Sequence, residues 1–179
     1  MRYLCGLKIE IMALTRANWL QQALLKLDLM TDELYQKQVS SFFDEQPYLM
    51  GFLFNLEEEF SENTHDLLIR SALAFYQAMS QIGLQFQVIT PQMLQDGITA
   101  KVEEFNDLDK DDLAFDETTL FKTISSPQAV KGLLAFIDEN TAKSEFTEGT
   151  RNNMLLILSA LVELMENAAV LPENNNANE

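Results

Sequence analysis

Two stretches of this chain, residues 65–82 and 150–169, are apolar on most faces of a helix. The first carries Leu67, Leu68, Ile69, Ala72, Leu73, Phe75, Tyr76 and Met79, and the second carries Met154, Leu155, Ile157, Leu158, Leu161, Val162, Leu164 and Met165. A surface helix confines such residues to one stripe at i, i+3, i+4 and i+7; a helix that is apolar nearly all round has no face to give to water. Both segments must therefore sit among other helices, and that requirement constrains the fold more than any other feature.

The two segments also share what precedes them. FSENTHDLLIRSALAFYQAM (60–79) aligns without a gap on FTEGTRNNMLLILSALVELM (146–165), pairing Phe60 with Phe146, Glu62 with Glu148 and Thr64 with Thr150. Upstream, GFLFNLEE (51–58) aligns with GLLAFIDE (132–139), and Pro47 and Pro127 suit the first turn of each helix. Each unit reads as an αα-hairpin: proline, amphipathic helix, acidic end, F-[ST]-E-x-T turn, apolar helix. Neither hairpin can bury its apolar helix alone, whereas two copies can bury them against each other.

Further helix signals fill the gaps. Thr15 can cap a helix bearing Trp19, Leu20, Ala23, Leu24 and Leu27, and Thr31 can cap one running to about residue 44. Pro91 opens a helix to about residue 105, a short helix is expected near 117–124, and Ser126-Pro127 opens one to about residue 140. Residues 85–89 alternate like a strand but have no visible partner, and read as a loop. Gly83 ends the first apolar helix. The fold class is all-α: a single-domain bundle of about eight helices over residues 12–170, in two pseudo-twofold halves, 15–83 and 90–170. A short α-solenoid of stacked hairpins is the alternative. Residues 1–11 read as an extension before a more natural start at Met12, and the Asn-rich residues 171–179 as a polar tail.

Charge bears on partners. Twelve Lys and Arg face 28 Asp and Glu, a net charge of −16 and a pI near 4.3. Nucleic-acid binding needs basic side chains on phosphates, and an anionic membrane surface needs them too, so both are disfavoured. The lysines Lys101, Lys110, Lys122, Lys131 and Lys143 are scattered among acids and give no DNA-recognition helix. The acidity keeps the protein soluble, and leaves room for an acidic face that meets a basic partner. Cys5 is the only cysteine, so no internal disulfide can form and a reducing, cytoplasmic setting is expected.

Little in the chain resembles chemistry. Glu62-x-x-His65 has the spacing of a di-iron ligand pair, but His65 is the only histidine and Arg151 occupies the matching place in the second hairpin. The shared hydroxyls and acids are those of a helix start, which leaves His65 as a surface residue on a capped turn. Asp107, Asp109 and Asp111 fall at positions 1, 3 and 5 of a calcium loop. Position 6 is Asp112 where the turn needs Gly, and position 12 is Thr118 where a bidentate Glu should close the shell. The paired acids Glu57–Glu59 and Glu103–Glu104 read as solvated helix ends, and Cys5 lies in the extension. No catalytic residue and no cofactor are assigned.

The chain thus reads as a non-enzymatic helical protein-interaction module, an adaptor, regulator or assembly factor. The alternatives are a small-ligand or metal-binding helical protein using the acidic loop 107–118, and an enzyme with an acidic site. Trp19, Phe42, Phe43, Tyr48 and Phe54 either complete the core or form an exposed patch for a partner or for a homodimer.

Overall fold

The computed structural model describes residues 18–109, 121 and 123–170, and over them the protein is all-α with one two-residue strand pair. Residues 18–28 are helical (α1). Then come α2 (Asp32–Glu45), α3 (Pro47–Phe54), a 3-10 turn (Glu57–Glu59), α4 (Glu62–Gln81) and β1 (Gln85–Phe86). They are followed by α5 (Pro91–Asp109), α6 (Pro127–Asn140), α7 (Glu148–Ala168) and β2 (Ala169–Val170). The helix expected near 117–124, the extension 1–11 and the tail 171–179 fall wholly or largely outside the described residues.

Local chemistry explains where the helices start. Thr31, Ser61 and Thr147 each turn extended backbone into helix while the side-chain oxygen accepts the N–H three residues on, from Leu34, Thr64 and Thr150. Thr90 does the same for Met93 N–H at 3.2 Å. Each such cap satisfies one of the four N–H groups a helix leaves unpaired at its start. Proline opens α3, α5 and α6, where its missing N–H costs nothing. The two apolar helices begin earlier than their apolar runs, at Glu62 and Glu148, because the cap fixes the start. α4 ends at Gly83, whose φ of 81° is reached at little cost only without a Cβ.

α4 and α7 contribute the most buried side chains, among them Leu68, Leu73, Met154, Leu158 and Val162. They pack on each other, with α6 against both, α5 against α7 and α2 against α4. Buried residues from Leu20 to Ala168 form one continuous apolar cluster. Where α4 and α7 end together, Gln85 pairs with Val170 and Phe86 with Ala169, antiparallel. Residues 85 and 86 therefore do have a strand partner, contrary to the reading of 85–89 as a loop, while 87–89 are irregular. That partner is the chain leaving α7, two residues too short to carry an alternating pattern of its own.

Polar ties cross between helices. Tyr35 Oη donates to Asp66 at 3.2 Å, the same carboxylate accepts from Arg70 at 2.6 Å, and the Arg70 guanidinium lies 4.3 Å from the Tyr35 ring centre. Tyr76 Oη donates to Glu45. Lys101 is 5% exposed, and its ammonium lies 2.7 Å from Glu104 and 2.6 Å from Glu163, which ties α5 to α7. Burial alone would lower its pKa, but the hydrogen bonds and charges of those two carboxylates hold it above the ordinary lysine value.

A candidate docking groove between α3 and α5

α3 and α5 are far apart in sequence and are brought side by side by one buried glutamine. Gln46, 1% exposed at the corner between α2 and α3, donates from Nε2 to Gln87 O at 3.0 Å. Its Oε1 accepts from Ile89 N–H at 2.9 Å. Both bonds grip the segment that leads into Pro91, so one side chain sets the start of α3 against the start of α5. His65 supports α3 from the other side. It is 9% exposed, and its Nε2 lies 2.8 Å from Leu53 O near the end of α3. This overturns its reading as a surface residue. The turn is capped as expected, but the His65 ring turns inward to the end of α3, where it bonds the Leu53 carbonyl.

Between the two helices runs an open groove of about 530 Å³. Pro47, Tyr48, Gly51, Phe52 and Asn55 form the α3 wall; Pro91, Leu94, Gln95, Ile98 and Thr99 form the α5 wall. These ten residues line it without a carboxylate, a cation, a thiol or an imidazole. Val102, exposed one turn beyond Ile98, continues the apolar stripe along α5. Tyr48 is 50% exposed; at the far end of α3, Phe54 is 40% exposed and stacks on Phe43 of α2 with ring centres 6.2 Å apart.

The five aromatics singled out from the sequence thus divide. Phe42 is buried in the core at 4.6 Å from Tyr76, and Trp19 packs partly buried against it. Phe43 and Phe54 are exposed and stacked on each other, while Tyr48 is exposed separately on the groove wall of α3. The groove itself was not anticipated, since its walls come from segments separated by all of α4. One signal was present: Gly51 interrupts an apolar helix, which costs about 1 kcal/mol relative to alanine and calls for a reason. Packing does not supply one, because a Cβ built on Gly51 meets nothing within 4 Å.

The remaining candidates are not brought to this groove. Asp107 and Asp109 lie in the last turn of α5, and Asp111 is outside the described residues. Among the described residues no group of three or more His, Cys, Asp or Glu is placed to hold a metal ion. Glu57–Glu59 form the exposed 3-10 turn after α3, and Cys5 is outside the described residues. A second, smaller groove of about 380 Å³ lies between α1 and α6, around Leu24, Leu25, Gly132 and Phe136. No helix among the described residues is long and apolar enough to cross a membrane. No family model, curated protein or solved structure matches the chain.

Proposed function

We propose that this chain is a non-enzymatic helical interaction module, an adaptor, regulator or assembly factor, that receives another protein surface in the groove between α3 and α5. The observation that carries this reading is the composition of the groove: apolar and uncharged polar groups, the exposed aromatic Tyr48 on its α3 wall, and no carboxylate, cation, thiol or imidazole. Aromatic side chains concentrate binding energy where they enter or line such pockets. A groove floored by a bare glycine backbone also admits a closer approach than any other residue would allow.

The same reading takes the molecule as a helical bundle of two related αα-hairpin halves. The matching caps support this: Ser61 and Thr64 hydroxyls lie 2.9 Å apart at the start of α4, and Thr147 and Thr150 hydroxyls 3.0 Å apart at the start of α7. The lone cysteine fits a cytoplasmic setting, and the occupant of the groove is a protein, whether a second copy or another chain.

A photo-reactive amino acid at Tyr48 or Thr99, compared with one at exposed Lys143, tests the proposal in cells. Crosslinks to one protein from the first two positions and not from the third are expected. Equal crosslinking from all three, or none from Tyr48 and Thr99, would count against the groove as a binding face.

A further inference from the structure

Resting on that reading, we infer that the groove's partner is a basic amphipathic helix, an α-helical segment with an apolar face bordered by Lys or Arg. Two observations point to this chemistry. The first is the backbone of the walls. Both are helices, whose N–H and C=O groups are bonded within themselves, so the groove offers no edge onto which an extended peptide could add as a strand. A segment desolvated against an apolar surface must then satisfy its own backbone, which a helix does. The apolar stripe from Pro91 to Val102 spans about 16 Å at 1.5 Å per residue, three turns of a partner helix.

The second observation is charge. From Gln38 to Ile69, the stretch that contains the whole α3 wall, the chain carries Asp44, Glu45, Glu57, Glu58, Glu59, Glu62 and Asp66, and no Lys or Arg. Glu57, Glu58 and Glu59 are all exposed and begin two residues after the groove residue Asn55. On the α5 side Asp96 adjoins Gln95 and Glu103 adjoins Val102, both exposed. The cation nearest in sequence on that helix, Lys101, is buried and held by Glu104 and Glu163, so it offers no positive charge to the groove. The result is a neutral apolar trough in a negative field. That field attracts a basic partner and repels a second copy of a chain with net charge −16.

The test titrates the full-length, ¹⁵N-labelled protein with two synthetic helices of about 16 residues, each with Leu at i, i+3, i+4 and i+7 and with Lys in one and Glu in the other at the remaining positions, followed by amide shifts. The Leu–Lys helix is expected to bind, to shift α3 and α5 amides first, and to weaken about ten-fold between about 0.05 and 0.5 M salt. Gly51→Met places a helix-favouring side chain into open space, so it keeps the fold, raises the thermal midpoint and is expected to weaken that binding about ten-fold or more. Replacing Glu57, Glu58 and Glu59 with Gln is expected to remove most of the salt dependence. Binding that maps elsewhere, or that Gly51→Met leaves unchanged, overturns the inference by showing charge attraction without the groove. Equal binding of the Leu–Glu helix overturns the basic partner while leaving the interaction module standing. Absence of binding by either helix, together with no crosslink from Tyr48, overturns both.

Discussion

Gln46 is the side chain on which the geometry of the groove depends most directly, and Gln46→Ala removes it with little other disturbance. Two hydrogen bonds disappear. Ile89 is fully buried, so its N–H loses its partner with no water to replace it, at a cost of about 1–3 kcal/mol. The Gln87 carbonyl is only partly buried and can recover some hydration, which sets its loss nearer about 0.5–1.5 kcal/mol. Together the substitution is expected to destabilise by about 2–4 kcal/mol, or roughly 10 °C in thermal midpoint for a chain of this size. Urea denaturation followed by far-ultraviolet circular dichroism measures this directly, with the midpoint falling and the slope unchanged. Gln46→Glu sharpens the test. It keeps the acceptor for Ile89 N–H but presents a carboxylate oxygen to the Gln87 carbonyl, so it should cost at least as much as the alanine. A Gln46→Ala protein within about 0.5 kcal/mol of the parent would refute the reasoning, because no buried unpaired N–H can be that cheap.

Other outcomes follow from the same contacts. His65→Ala removes one bond to Leu53 O, which also accepts from Leu56 N–H at 3.1 Å, and leaves space where the buried ring was; it is expected to cost about 1–2 kcal/mol by urea denaturation, where a true surface histidine would cost almost nothing. Thr147→Ala should cost about 1 kcal/mol and Ser61→Ala somewhat more, since both hydroxyls cap their helices and Ser61 also donates to Glu145 at 2.8 Å; a Thr147→Ala cost near zero would show that its cap contributes nothing. Burial and the hydrogen-bonded carboxylates of Asp66 and Glu45 raise the phenol pKa values of Tyr35 and Tyr76 above the ordinary 10.0. Because the folded values are raised, their contribution is complete below pH 10.0 and is lost as pH climbs from there towards the folded values. Tyrosinate absorbance should then rise together with loss of helical dichroism, and Tyr35→Phe with Tyr76→Phe should uncouple the two signals.

What the sequence determined by itself was the helices α2 to α7 and the caps that open several of them. Ser61, Thr147, Thr31 and Pro127 act on N–H groups within one turn of themselves, and such short-range chemistry can be read from neighbours in the chain. The two apolar helices were legible for a related reason. A side chain pattern with no polar face demands cover, whichever elements provide it, and α4 and α7 do lie at the centre of the packing. The tertiary structure alone decided where particular side chains face. His65 and Phe43 differ in burial because His65 meets the end of α3 at Leu53 O while Phe43 meets the exposed Phe54 ring, and nothing within a turn of either residue encodes those encounters. Gln46 could have been any polar residue at a helix corner until Gln87 and Ile89 arrived from beyond α4 to be bonded by it. The strand pair, the groove and its neutral lining arise in the same way, from segments that meet only when the apolar helices have been buried. Burial is a property of the whole chain, and so the surface left over after it is too.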